Sequence, residues 1–143
     1  MQVNWFINLN QSFDLNPSNL FSGSKIINSG NKLAISTNYL TYIIDTNNGT
    51  ILNTFNFSTK VTPIILENYF FLIKKNDLIV AVNLQNEEII YSYDINKKIS
   101  KFLNVKKNKA IFKNLYIAKN SIYIILKNSF LLKFSIQGDL ESI

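Results

Sequence analysis

The sequence predicts an all-β fold assembled from repeated four-stranded antiparallel units. Three observations predict it. Runs of four to seven residues rich in Ile, Tyr, Phe, Val and Leu recur along the chain, separated by Asn, Asp, Ser and Gly. β-branched and aromatic residues dominate those runs and Ala is scarce, which disfavours a helical reading. The chain also matches itself without a gap when shifted so that Ser24–Phe57 falls on Thr62–Ile95.

Each copy follows one plan. In the first, strands are expected at Lys25–Ile27, Lys32–Ser36, Leu40–Ile44 and Thr50–Phe55. In the second, Leu33, Ala34 and Ile35 become Phe71, Leu72 and Ile73, and Asp45 becomes Asn83. A third copy places Asn120 on Asn68, Ile124 and Ile125 on Leu72 and Ile73, Ser135 on Asn83, and Gly138 on Asn86, beside the position of Gly49. Between the third and fourth strands stands Asp-Thr-Asn-Asn-Gly, Asp45 to Gly49. Asp45 is suited to bond the backbone two residues on, and Asn48 and Gly49 tolerate the positive φ of a tight hairpin. A calcium loop would need further carboxylates nearby, and none is present. Asp45, Gly49, Pro63, Asn83 and Gly138 are therefore structural markers of the repeat.

Four antiparallel strands repeating at about 40 residues is the signature of a β-propeller blade. One blade cannot cover both its faces, so blades stack, and doubly covered strands read as continuous apolar runs. Tyr69–Ile73 and Ile122–Leu126 read that way. The expected organisation is one propeller domain. Residues 1–23 would be the closing strand of a preceding blade plus a linker, 24–57 and 58–95 two blades, 96–113 a Lys-rich connection or outer strand, and 114–143 a partial blade. Closed rings take roughly four to eight blades. The reading is thus a segment of about three blades from a larger propeller of about eight, partnered by its own remaining blades, with ring closure by self-association as the alternative.

Composition excludes several chemistries. The 143 residues are 47% hydrophobic and 17% charged, a globular balance. There is no Cys and no His, which removes thiolate zinc sites, Ser-His-Asp and Cys-His nucleophiles and imidazole acid–base catalysis. No pair among the scattered carboxylates is nominated as catalytic, and no metal or cofactor ligand set is expected. The net charge is +6 and all 15 basic residues are Lys. Arg, which grips phosphates and guanine in a bidentate manner, is absent, and the abundant aromatic residues fall in strands, so nucleic acid is not an expected partner. The chain opens without a charged start and apolar run of signal-peptide type.

The repeat resembles the quinoprotein-type (PQQ-like) propeller family. Thr62-Pro63-Ile64-Ile65 is similar to the opening of that family's repeat, Leu78–Asn83 and Leu40–Asp45 to its middle, and Gly49-Thr50-Ile51-Leu52-Asn53 to its end. Asn53 and Tyr91 stand where the family carries a Trp, and Trp5 resembles the retained one, which implies a wedge between blades rather than a ligand platform. Within the family, the openings Trp5–Asn10 and Asn19–Ser22 resemble the BamB-like lipoproteins of the outer-membrane β-barrel assembly machinery. That resemblance implies a non-enzymatic periplasmic scaffold, associated with the outer membrane, that binds protein partners in that machinery and no quinone. A segment of a PQQ-dependent quinoprotein dehydrogenase is the alternative the family implies, and a ligand-sensing propeller ectodomain another.

One connection stands out. Between the second and third copies lie Lys97, Lys98, Lys101, Lys106, Lys107, Lys109 and Lys113, interleaved with Ile99, Phe102, Leu103 and Val105. An acidic protein surface or anionic lipid headgroups would suit these lysines. The plainer reading is an outer strand whose charge blunts edge-to-edge pairing.

Overall fold

The computed structural model describes residues 3–7, 9, 26–106 and 108–143. It divides into two compact units, 1–58 and 59–143. Both are built from four-stranded antiparallel meanders, one in the first unit and two in the second.

The first unit holds β1 (Ile27–Ser29), β2 (Lys32–Ser36), β3 (Thr41–Asp45) and β4 (Ile51–Phe55), paired in that order. On one face Ile35, Tyr42 and Ile44 form the core, and Trp5, Ile7 and Leu9 pack against it. The described residues of the stretch expected to close a preceding blade contain no strand. The expected linker lies outside the described residues. The β3–β4 turn forms as its residues dictate. Asp45 Oδ1 accepts the Asn47 amide at 2.7 Å, and Asp45 and Thr50 close the turn at 2.8 Å. Gly49 takes φ +75°. Asn48 does not need the left-handed region: its side-chain oxygen instead accepts the Thr50 amide at 2.9 Å. Above the turn, the Trp5 indole N–H donates to the Thr46 carbonyl at 2.8 Å. A Cβ on Gly49 would fall 2.6 Å from that indole, so glycine is required by both conformation and space.

The second unit holds β5 (Ile64–Leu66), β6 (Tyr69–Ile73), β7 (Leu78–Asn83) and β8 (Ile89–Asp94), then helix α1 (Ile95–Leu103), then β9 (Phe112–Ala118), β10 (Ser121–Leu126), β11 (Leu131–Ser135) and β12 (Leu140–Ser142). The two sheets share one core, in which Phe71, Ile79, Ile122, Ile124, Leu132 and Phe134 are buried. Pro63 is buried just ahead of β5, where its fixed φ suits the start of a strand.

The second copy's turn repeats the first one's side-chain bond, and the third's is closed by a different one. Asn83 Oδ1 accepts the Gln85 amide at 2.9 Å, and Glu87 takes φ +60° where Gly49 stands in the first copy. In the third copy Ser135 Oγ accepts the Asp139 amide at 3.0 Å. That turn closes at Asp139, one residue earlier, which moves Gly138 (φ +88°) into the place of Gly49.

Three expectations change. The third sheet has all four strands and begins at Phe112, not as a partial blade at 114. In β10 only alternate residues are fully covered, with Tyr123 and Ile125 half-buried, so Ile122–Leu126 is a one-sided strand despite its apolar run. The connection after β8 forms helix α1 rather than an outer strand.

Candidate functional site

Helix α1 and residues 104–111 break the repeat, and the local sequence explains how. Asp94 caps the helix, its carboxylate accepting the Lys97 amide at 3.0 Å. Ile95, Ile99 and Leu103, spaced four apart, lie along one helical face. Ile95 is fully buried and Ile99 packs on the shared core. Asn104 ends the helix in the left-handed conformation, with its N–H returned to the Ser100 carbonyl.

A buried polar network fastens this segment. Asp77, in the β6–β7 turn at φ +67°, pairs through one carboxylate oxygen with the Lys60 ammonium. The other oxygen accepts from the Asn96 amide group at 3.0 Å. Asn96 Oδ1 in turn accepts the Ala110 backbone N–H at 2.7 Å, and the Asp77 carbonyl accepts that of Ile95 at 3.2 Å. Asp77 and Asn96 are only 6% and 5% exposed. Removing one member of such a network strands the others without solvent, which is costly. Both ends of the segment are therefore anchored to the sheet below. Lys60 also lies 5.0 Å from the Phe112 ring centroid, at the start of β9.

The expected lysines divide into two groups. Lys98 turns inward: its ammonium lies 3.9 Å from the Tyr93 ring centroid and donates to the Gly138 carbonyl at 2.7 Å and to Asp139 at 3.1 Å. Lys97, Lys101, Lys106 and Lys109 are exposed. Lys106 and Lys109 stand with Ile99, Leu103, Val105 and Phe130 around a shallow cavity of about 180 Å³. Lys101 sits in the last helical turn, where the helix dipole favours a cation. Lys113 is exposed on β9, and Lys107 lies outside the described residues. None of the exposed four is on a strand, whereas Lys113 is on β9, an edge strand of its sheet.

Large apolar groups stand beside Lys106 and Lys109. Phe102, Leu103, Val105 and Phe130 are each about half exposed, at 49%, 47%, 52% and 52%. An apolar centre inside a charged rim is the anatomy of an interface. The lysines are evident in the sequence, whereas Lys60, Asp77 and Asn96 are brought together only by the fold. The four-residue spacing of Ile95, Ile99 and Leu103 behind Asp94 was the available signal for the helix.

Among the described residues no cluster of three or more carboxylates is placed to hold a metal ion. No helix among them is long and apolar enough to cross a membrane. Burial drives the Tyr91 phenol well above its ordinary value, with Tyr93 and Asp139 adding to the effect.

The described residues form three antiparallel four-stranded sheets and one helix, an all-β architecture of propeller type. No protein-family model matches it, and no curated protein does. Solved structures do. The computationally designed Ika4 protein matches at a TM-score of 0.71 and 12% identity, over 99% of this chain and 78% of that one. BamB from Moraxella catarrhalis matches at 0.57 and 10% identity, over 82% of this chain. A quinohemoprotein alcohol dehydrogenase from Comamonas testosteroni matches at 0.63 and 8% identity, over 83%. The chain spans 36% of that BamB and 20% of that dehydrogenase. At such identities the likeness carries the fold and not the chemistry.

Proposed function

We propose that this propeller segment is a non-enzymatic scaffold for protein–protein interaction, and that α1 with residues 104–111 recognises an acidic partner surface. The observation that carries the proposal is the half-exposed apolar patch Leu103, Val105 and Phe130, beside exposed Lys106 and Lys109, next to a segment anchored by buried polar bonds. Exposed aromatic groups on a rigid support are what anchors a partner, and a surrounding charge of one sign selects it. The family resemblance and the structural likeness to BamB support a partner within the outer-membrane β-barrel assembly machinery and a periplasmic setting. The likeness to quinohemoprotein dehydrogenases favours a second reading, a segment of a quinone-dependent enzyme, which absorbance of bound quinone in the natural protein would reveal.

The test is fluorescence anisotropy with a labelled peptide of alternating Glu and Leu. It is expected to bind, to weaken with salt, and to lose at least about tenfold in affinity when Lys97, Lys101, Lys106 and Lys109 are changed to Glu, a modest loss for four reversed rim charges. Equal binding by that variant would overturn the proposal. So would binding to phosphatidylglycerol vesicles without binding to the peptide, which would assign the surface to lipid.

A further inference from the structure

The cavity beside Lys106 and Lys109 has walls that the fold leaves open. Ile99 and Ala110 are half-buried, and Leu103, Val105 and Phe130 are exposed. Leu126 and Leu132 lie closed beneath them. Phe130 is peculiar to the third copy. At its place in the repeat the first two copies carry Leu40 and Leu78, both half-buried, whereas Phe130 is 52% exposed. In the second copy that turn is bonded by the start of α1, the Ile95 N–H donating to the Asp77 carbonyl at 3.2 Å. The matching turn of the third copy keeps the left-handed residue, Ser129 at φ +68° against Asp77 at +67°, but leads into Phe130 at the cavity.

Size and charge define what fits. A volume of about 180 Å³ gives room for one side chain of leucine or phenylalanine size, since an apolar cavity of about 150 Å³ holds benzene. The indole of tryptophan is larger. Lys106 and Lys109 also line the cavity, and neither ammonium joins an ion pair among the described residues, unlike that of Lys98, which Asp139 holds. Two uncommitted ammonium groups beside an apolar hollow favour a guest whose apolar group stands next to carboxylates.

We infer that this cavity is the anchor pocket for a single leucine- or phenylalanine-sized side chain of the partner, with carboxylates on the neighbouring residues meeting Lys106 and Lys109. The inference rests on the scaffold reading and narrows its partner from an acidic surface to a short acidic segment with one apolar anchor.

The test is a nuclear magnetic resonance titration of the full chain with four short peptides. In each, glutamates flank one central residue, which is leucine, phenylalanine, alanine or tryptophan. The leucine and phenylalanine peptides are expected to shift the amides of Val105 and Ala110 and to bind at least about tenfold more tightly than the alanine peptide, the effect of burying one such side chain. The tryptophan peptide is expected to bind several-fold more weakly than the phenylalanine one, because it overfills the cavity. Phe130→Ala removes one wall at an exposed position and is expected to cut the preference for leucine over alanine to about threefold or less. Should that variant fail to fold, Val105→Ser, also at an exposed position, is expected to reduce the same preference. Changing Lys106 and Lys109 together to Gln is expected to weaken all four peptides and keep the preference. Equal binding of the leucine and alanine peptides, or an undiminished preference in a folded wall variant, would overturn the anchor pocket and leave the scaffold reading standing. Tryptophan bound as tightly as phenylalanine would overturn the size limit. Binding of none of the four would overturn both readings.

Discussion

The turns between third and fourth strands and the segment 95–111 are satisfied in opposite ways. Each turn is closed by its own residues: Asp45 bonds Asn47, Asn83 bonds Gln85, and Ser135 bonds Asp139. The segment 95–111 is held by long-range bonds, from Asn96 to Asp77 nineteen positions away and from Ala110 to Asn96. The turns recur three times and expose little that is apolar. The segment occurs once and exposes Phe102, Leu103 and Val105. Where the repeat is kept, side chains serve the fold. Where it is broken, the chain spends buried polar bonds to present a surface whose exposure the fold does not require.

That contrast yields tests of decreasing size. Asn96→Leu should be the most damaging, because it leaves Asp77 short of a donor and the Ala110 N–H without an acceptor. A loss of about 2–4 kcal/mol in chemical denaturation is expected, together with weakened binding of the acidic peptide. Gly49→Ala and Gly138→Ala should each cost about 2–3 kcal/mol, since a Cβ would fall 2.6 Å from Trp5 and 2.8 Å from Tyr91, while binding holds. Asp45→Ala should cost about 1 kcal/mol and leave binding unchanged. If it abolished binding at unchanged stability, the turns would not be purely structural.

Tyr91→Phe should have the smallest effect and the opposite sign. Trp5 and Tyr91 both press on a turn glycine, but the Trp5 N–H reaches the Thr46 carbonyl whereas the Tyr91 hydroxyl finds no partner among the described residues. The third copy's turn is one residue shorter, so it does not offer Tyr91 the same carbonyl. Removing that hydroxyl should raise stability by about 0.5–1 kcal/mol in thermal or chemical denaturation. Burial also raises the Tyr91 pKa in the fold above its ordinary 10.0. The folded state therefore holds the phenol proton more tightly than the unfolded chain does. The associated stability is complete below pH 10 and is lost as pH rises beyond it. Tyr91→Phe should flatten that alkaline decline in part, with Tyr42, also raised by burial, keeping the remainder.

The repeat was legible because its signals are local. β2 falls where expected, at Lys32–Ser36, and Asp45 forms the turn its side chain allows. Two features were not legible. The helix was hidden because the strands on either side set the expectation, and Phe102 and Val105 have strong strand propensity. The anchor was hidden because Lys60, Asp77 and Asn96 are far apart in sequence and carry no motif. The lysines were legible as a group, but only the fold separates Lys98, turned onto Tyr93, from the exposed four.

The central claim is that the departure from the repeat, not the repeat, meets the partner. Hydrogen–deuterium exchange of the full chain, with and without the alternating Glu and Leu peptide, tests it most directly. The account predicts new protection at the amides of Phe102 to Ala110 and no change in the turns at 45–50, 83–88 and 135–139. Protection at those turns, with 102–110 unaltered, would contradict it.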